Sequence, residues 1–324
     1  MKISSWRIVF FGTPAFAIPS LERLLQGSDE IVAVVTQPDR ERGRGRKKSP
    51  SPVKELALQH RIPLFQPEKV KESSFVEAMR DLKPDLFVVV AFGQILPKSL
   101  LEIPKYGAVN VHGSLLPQYR GAAPIAWAIL RGETKTGITT MLMDEGMDTG
   151  NILMQEEIPI KKEDTGETLQ EKLSSLGARV LMETVARMKE GCLSPSPQDD
   201  SKATYAPPLK KEDGQIDWKR SAEEIHLKIR AFNPWPGAFT GWENRLLKIY
   251  QGEVRKGLSQ AQAGSVIWVG TDFIEVATGE GSLLIKEVQM EGKRRMCVRD
   301  FLSGHRISVG TVFSSEFGVQ SSEV

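Results

Sequence analysis

Asp85-Leu86-Phe87-Val88-Val89-Val90-Ala91 is the stretch on which the fold turns. An apolar run with no polar alternation leaves no face for water, so it reads as a strand buried on both sides, as in the middle of a parallel sheet. Working outward, similar runs alternate with helix-spaced segments. Upstream, Arg7–Phe11 and Ile31–Val35 read as strands and Ile62–Phe65 as a short one; Pro14–Gln26, Pro52–His60 and Glu72–Leu82 read as helices. Downstream, Gly107–Val111 and Gly137–Met143 continue the strands, with helices over Ala122–Arg131 and Glu167–Glu190. The alternation predicts an α/β domain over residues 1–190: a mostly parallel, Rossmann-like sheet with helices on both faces.

The pattern then changes. Residues 191–208 carry Pro195, Pro197, Pro207 and Pro208 among Ser, Gln and Asp, which reads as a linker. Residues 209–324 begin a second domain. Ser221–Phe232 is a helix with Ser221 as its cap and Glu223 and Glu224 in its first turn. Ala238–Trp242, Leu246–Glu253, Gly264–Val269, Phe273–Val276 and Leu283–Met290 read as short strands between Gly-rich turns. That pattern predicts a small β-barrel of the OB-like kind. Trp218, Trp235 and Trp242 are expected in packing rather than in base stacking.

Two domains are the expectation for 324 residues. No apolar run approaches the roughly 20 residues that cross a bilayer, and Gly12-Thr13-Pro14 interrupts the only early one. A cytoplasmic protein, with no membrane partner, is expected. Cys192 and Cys297 lie far apart and the four histidines are scattered, so we expect neither a disulfide nor a metal. The net charge of +2 says little about nucleic acid, but its distribution says more. Arg40, Arg42, Arg44, Arg46, Lys47 and Lys48 cluster against a single acid, Glu41. Such a run is ordinarily a solvated loop. Here Gly43 and Gly45 punctuate it and it follows a strand end, a good device for gripping phosphates.

Open α/β sheets bind ligands beyond the carboxyl ends of their strands. The basic loop, Ala91–Gln94, Asn110–Pro117 and Met143–Gly150 are all expected at that edge. Asn110 and His112 are two apart, so in a strand their side chains share a face. Asp148 sits in the downstream loop Asp144-Glu145-Gly146-Met147-Asp148-Thr149-Gly150. Singly, each has a bland reading: turn former, structural histidine, cap. Together, an amide, an imidazole and a carboxylate can polarise a carbonyl, hold an oxyanion and manage one proton without a metal. The chemistry suggested is transfer of a one-carbon acyl group to an amine.

Several segments carry a resemblance: Phe11-Gly12-Thr13-Pro14, Val35–Arg40, Ala91-Phe92-Gly93-Gln94-Ile95-Leu96-Pro97, Asn110-Val111-His112-Gly113-Ser114-Leu115-Leu116-Pro117, Tyr119–Ile125, Asp144–Gly150 and Arg230–Pro236. With them the chain resembles the 10-formyltetrahydrofolate-dependent formyltransferases, and among these the methionyl-tRNA formyltransferase family. The resemblance implies that Asn110, His112 and Asp148 are catalytic. It also implies that Phe92, Gly93, Gln94, Ile95, Leu96, Ser114, Leu115, Leu116, Pro117 and Asp144 face the folate co-substrate, 10-formyltetrahydrofolate. The basic loop then enters the acceptor stem of initiator methionyl-tRNA, with Arg42 or Arg44 nearest the first base pair. Lys293, Arg294 and Arg295, with Lys286, Arg299 and Arg306, are further candidates for phosphate contacts in the second domain. A monomer is expected. Two rivals remain: a formyltransferase for a small-molecule amine, and a non-catalytic RNA-binding protein. A nicotinamide site is disfavoured, because Phe11-Gly12-Thr13-Pro14 lacks the glycine triplet that admits a pyrophosphate.

Overall fold

The computed structural model describes residues 5–42, 47–257 and 261–314. The chain divides into two compact units, one comprising Met1–Pro124, Lys135–Pro159 and Gln170–Ala206, the other Ile125–Thr134, Ile160–Leu169 and Pro207–Val324.

The first unit is built on a seven-stranded sheet. Its strands are β1 (Arg7–Gly12), β2 (Glu30–Val35), β3 (Leu64–Phe65), β4 (Leu86–Val90), β5 (Ala108–His112), β6 (Lys135–Leu142) and β7 (Ile152–Pro159), in the spatial order β7-β6-β5-β4-β1-β2-β3. The decisive run is β4, buried at every position and paired in parallel with β1 and β5 on its two sides. Phe11 packs against both Phe87 and Phe92 beside Val9, Val35 and Val89, with the Phe11 and Phe87 rings 5.0 Å apart. Helices α1 (Ile18–Gln26), α2 (Pro52–Gln59) and α3 (Ser73–Asp81) connect the parallel strands. Ser51 caps α2, its side chain accepting from the Lys54 N–H.

The sheet departs from the sequence reading at one end. β6 pairs antiparallel with β5, and β7, absent from that reading, pairs antiparallel with β6. Met143 therefore emerges beside Ala108, at the amino end of β5, not at the carboxyl edge where Met143–Gly150 was expected. Nothing in an apolar run states its direction, and Glu156 and Glu157 gave β7 the polarity of a loop.

In the second unit, five strands form an antiparallel sheet: β8 (Ala238–Trp242), β9 (Arg245–Arg255), β10 (Val266–Val269), β11 (Ile274–Ala277) and β12 (Ser282–Met290), ordered β8-β9-β12-β11-β10. Met296–Cys297 adds a short strand beside β12. No ladder joins β8 to β10 among the described residues, so the sheet is an open one by its pairing. Isolated bridges run from Ser314 to Gly241 and from Val312 to Ser265. Trp218 and Trp242 are core residues, as expected, with the Trp218 indole N–H donating to Thr240 Oγ1 at 3.0 Å. Trp235 is not: it is 58% exposed. Helix Ala222–Ala231 starts at a full capping box, Ser221 with Glu224. Among the described residues no helix is long and apolar enough to cross a membrane.

Candidate active site

β5 carries Asn110 and His112 on one face, as the two-residue period requires. His112 is 6% exposed and its ring is fixed from both sides. Nε2 lies 2.9 Å from the Tyr119 carbonyl, which only accepts, so Nε2 holds a proton and Nδ1 is the nitrogen left open. Nδ1 faces Asp148 Oδ2 at 3.5 Å. Asn110 Nδ2 donates to the other carboxylate oxygen, Oδ1, at 3.4 Å. The three side chains that the sequence singled out thus meet.

Asp148 arrives by an unexpected route. Because β6 runs against β5, the connection from Met143 doubles back to set the carboxylate beside His112. Its backbone takes φ 55°, a left-handed conformation that Asp tolerates better than most residues. Gly121 N–H donates to Oδ2 at 2.8 Å. Gly121 itself has φ 120° and abuts the Ala206 carbonyl, a position without room for a side chain. At the loop's far end, a Cβ on Gly150 would collide with the Leu142 carbonyl oxygen. Asp144 closes the near end, its Oδ1 accepting from Gly146 N–H at 3.0 Å and from the Thr149 hydroxyl at 2.6 Å.

The sequence reading missed the residues that brace this loop. Gln198 Nε2 donates to the carbonyls of Asp148 (2.8 Å) and Gly150 (2.7 Å). Its Oε1 accepts from Arg120 Nε at 3.1 Å and Nη2 at 2.8 Å. Gln198 lies in the proline-rich stretch, whose weak periodicity hides such a role. Other residues there are hydrogen-bonded too: Thr204 accepts from Tyr119 N–H at 2.8 Å, and Tyr205-Ala206 pairs in parallel with Arg120-Gly121.

The residues expected to face the folate divide. Phe92 and Leu96 are buried, Ser114 and Leu116 equally so, while Leu115 and Pro117 are half-buried. Ser114 spends its hydroxyl on the Gln118 carbonyl, and Leu116 N–H donates to Thr139 Oγ1 at 3.0 Å. These residues shape the turn. Gln94 is likewise engaged, accepting from Val70 N–H and donating to the Pro67 carbonyl. Gly93 (φ 90°) turns the chain, and Ile95 is left 71% exposed. A cleft of about 750 Å³ is lined by Leu101, Tyr106, Gly107, Leu142, Met143 and Asp144 among others, and of the residues expected at the folate it touches only Asp144. A smaller one, about 260 Å³, is lined by Thr13, Gln37, Arg40, Ser49, Ser51 and Phe92.

The basic segment forms a hairpin, Arg40–Arg42 against Lys47–Ser49, so Lys47 and Lys48 stand opposite Arg42 and Glu41. Arg40 is exposed and donates to Gln37 Oε1 at 3.2 Å. Arg44 and Arg46 lie outside the described residues. In the second unit Lys293, Arg294, Arg299 and Arg306 are exposed. Arg295 and Lys286 are committed elsewhere. Arg295 pairs with Glu287 at 2.6 Å and lies over the Tyr250 ring at 4.4 Å; Lys286 pairs with Glu253 at 2.6 Å.

Comparison with known proteins bears on the same residues. Residues 6–185 match the family model described as formyl transferase, and residues 208–306 the formyl transferase C-terminal domain. A methionyl-tRNA formyltransferase of Trichlorobacter lovleyi is 51% identical over 96% of this chain and 98% of its own. One of Caldanaerobacter subterraneus subsp. tengcongensis is 51% identical over 94% and 99%. Among solved structures, an N-formyltransferase from Helicobacter canadensis with folinic acid and dTDP-3-aminofucose matches with a TM-score of 0.64 at 21% identity, over 90% of this chain and 100% of that one. HypX from Aquifex aeolicus in complex with tetrahydrofolic acid gives 0.64 at 16% identity, over 95% of this chain and 51% of that one, a likeness of fold. By sequence, over nearly its whole length, the chain belongs to the methionyl-tRNA formyltransferase family.

Proposed function

We propose that the chain transfers the formyl group of 10-formyltetrahydrofolate to the α-amine of methionine esterified to initiator tRNA. The observation that carries this reading is the meeting of Asn110, His112 and Asp148 around one point at the end of β5, in a chain half identical to enzymes of that name.

Attack of the amine on the formyl carbon puts negative charge on the oxygen and positive charge on the attacking nitrogen. Asn110 Nδ2 donates to that oxygen without any change of ionisation. Asp148 takes the proton that the amine loses. Asp148 passes that proton to His112 Nδ1, which delivers it to the leaving folate nitrogen as the bond from that nitrogen to the formyl carbon breaks, while Nε2 stays held by Tyr119. Asn110 and His112 currently lean on Asp148, contacts that a bound formyl group would share. The folate lies against Phe92–Leu96 and Ser114–Pro117, with Asp144 at the start of the Asp148 loop; the cleft of about 750 Å³ shares only Asp144 with that set.

The basic hairpin grips the acceptor end of the tRNA, and Lys293 and Arg294 supply exposed charge to the same RNA. Residues 1–190 carry the catalytic trio, 191–208 lead to the second domain while Gln198 braces the Asp148 loop, and 209–324 bind RNA. The second domain closes as an OB-like barrel through the segment ending at Ser314, a reading supported by its bridges to Gly241 and Ser265. The test is formylation of charged initiator tRNA at rising salt. A steep loss of affinity is expected, because each phosphate contact releases counterions. A flat response would favour a small amine as acceptor, and absence of transfer would leave an RNA-binding protein only.

A further inference from the structure

We propose that Arg120 and Gln198 are positioning residues that set the rate of transfer by holding Asp148 in register with His112; the inference rests on the formyl-transfer reading of that site. Both ends of the device converge on one residue. Gln198 Nε2 bridges the carbonyls of Asp148 and Gly150, fixing the backbone on either side of Thr149. Gly121 N–H, next in sequence to Arg120, fixes the Asp148 carboxylate. Arg120 joins the two. Its guanidinium forks onto Gln198 Oε1, so the carboxamide cannot turn over without presenting its NH₂ group to a cation.

Arg120 is 3% exposed, and its other partner is Asp200 Oδ1 at 2.6 Å, a carboxylate on a side chain 82% exposed. Its N–H also donates to the Thr204 carbonyl at 2.8 Å. A buried guanidinium that satisfies a neutral carboxamide is an expensive way to stabilise a fold, and it fits better as an orienting device. The gap it controls is the 3.5 Å between His112 Nδ1 and Asp148 Oδ2, already at the limit of a useful proton path. Neither side chain reaches the substrate; both act through Asp148.

The experiment is a double-mutant cycle on the full chain with charged initiator tRNA and 10-formyltetrahydrofolate. Gln198→Glu keeps the shape and loses the donor to two carbonyls. We expect kcat to fall about tenfold in the native background, with KM for the folate changed less than about twofold. In an Asp148→Asn background the same substitution should change kcat less than about twofold, because the residue it serves is already disabled. Arg120→Lys, which keeps the charge and loses the fork, should show a smaller loss of about threefold with the same dependence on Asp148, and decides the matter if Gln198→Glu does not fold. Equal losses in both backgrounds, or no loss in the native one, would overturn the proposal. A native chain that transfers no formyl group would instead overturn the assigned function, and this inference with it.

Discussion

The Asp148 loop and the basic hairpin both flank the sheet of the first unit, and they are built on opposite principles. The Asp148 loop has almost no regular structure, yet Gly121, Gln198 and the Asp144 turn tie it down from three directions. The hairpin is regular, and among the described residues its two strands pair only with each other. The difference follows from what each must do. A proton path fails when its ends move by an ångström, so the loop needs many directional bonds. Attraction between a cation and a phosphate decays over about 8–10 Å at ordinary ionic strength, so charge density matters more than position.

That contrast is open to attack, beginning with the largest effect. Asp148→Asn or His112→Asn should lower kcat by about two to three decades while tRNA affinity stays within about twofold, read by single-turnover formylation and filter binding. A parallel loss of binding would mean that the loop also carries the RNA. Next, Gly150→Ala adds one methyl where the Leu142 carbonyl stands and changes no charge. It should cost about tenfold or more in kcat through misplacement alone, and a normal rate would show the loop to be more forgiving than its bonding suggests.

Neutralising Arg42 and Lys47 together should do the reverse. With saturating tRNA the rate should hold within about threefold, while KM for tRNA rises about tenfold and the slope of log affinity against log salt flattens by about one per lost phosphate contact. The smallest effect sharpens the same distinction in the second unit. Arg294, exposed, should lose about two- to threefold in tRNA affinity on change to Ala, with melting unaltered. Arg295, paired with Glu287 and lying on Tyr250, should instead lower the melting temperature of that unit by a degree or two, roughly, when replaced.

How much of this was legible in the residues follows the same division. β4 and the shared face of Asn110 and His112 could be read directly, because burial and two-residue periodicity are local properties. The direction of β6 could not, since an apolar strand looks alike both ways, so Met143 was expected at the wrong end of β5, although Asp148 does reach the carboxyl end beside His112. β7 escaped notice because the adjacent Glu156 and Glu157 lie on opposite faces of this edge strand, one half-buried beside Arg179 and the other exposed beside Lys135, and break the apolar pattern on both. Gln198 and Arg120 were invisible for a different cause: their role exists only through contacts 78 residues apart in sequence. Of the aromatics, Trp235 defied the packing expectation because Pro234 and Pro236 hold it on a turn, where size does not guarantee burial.

The reversal of β6 turns the following connection into a ruler. The chain leaves the sheet at the level of Ala108 and must set Asp148 down beside His112, four residues further along β5, before rejoining at Ile152. One residue added or removed between Met143 and Asp148 would shift the carboxylate by about 3.3 Å, more than any side-chain rotation there could recover. Relatives that retain the activity should therefore differ freely in the composition of this segment but agree in its length.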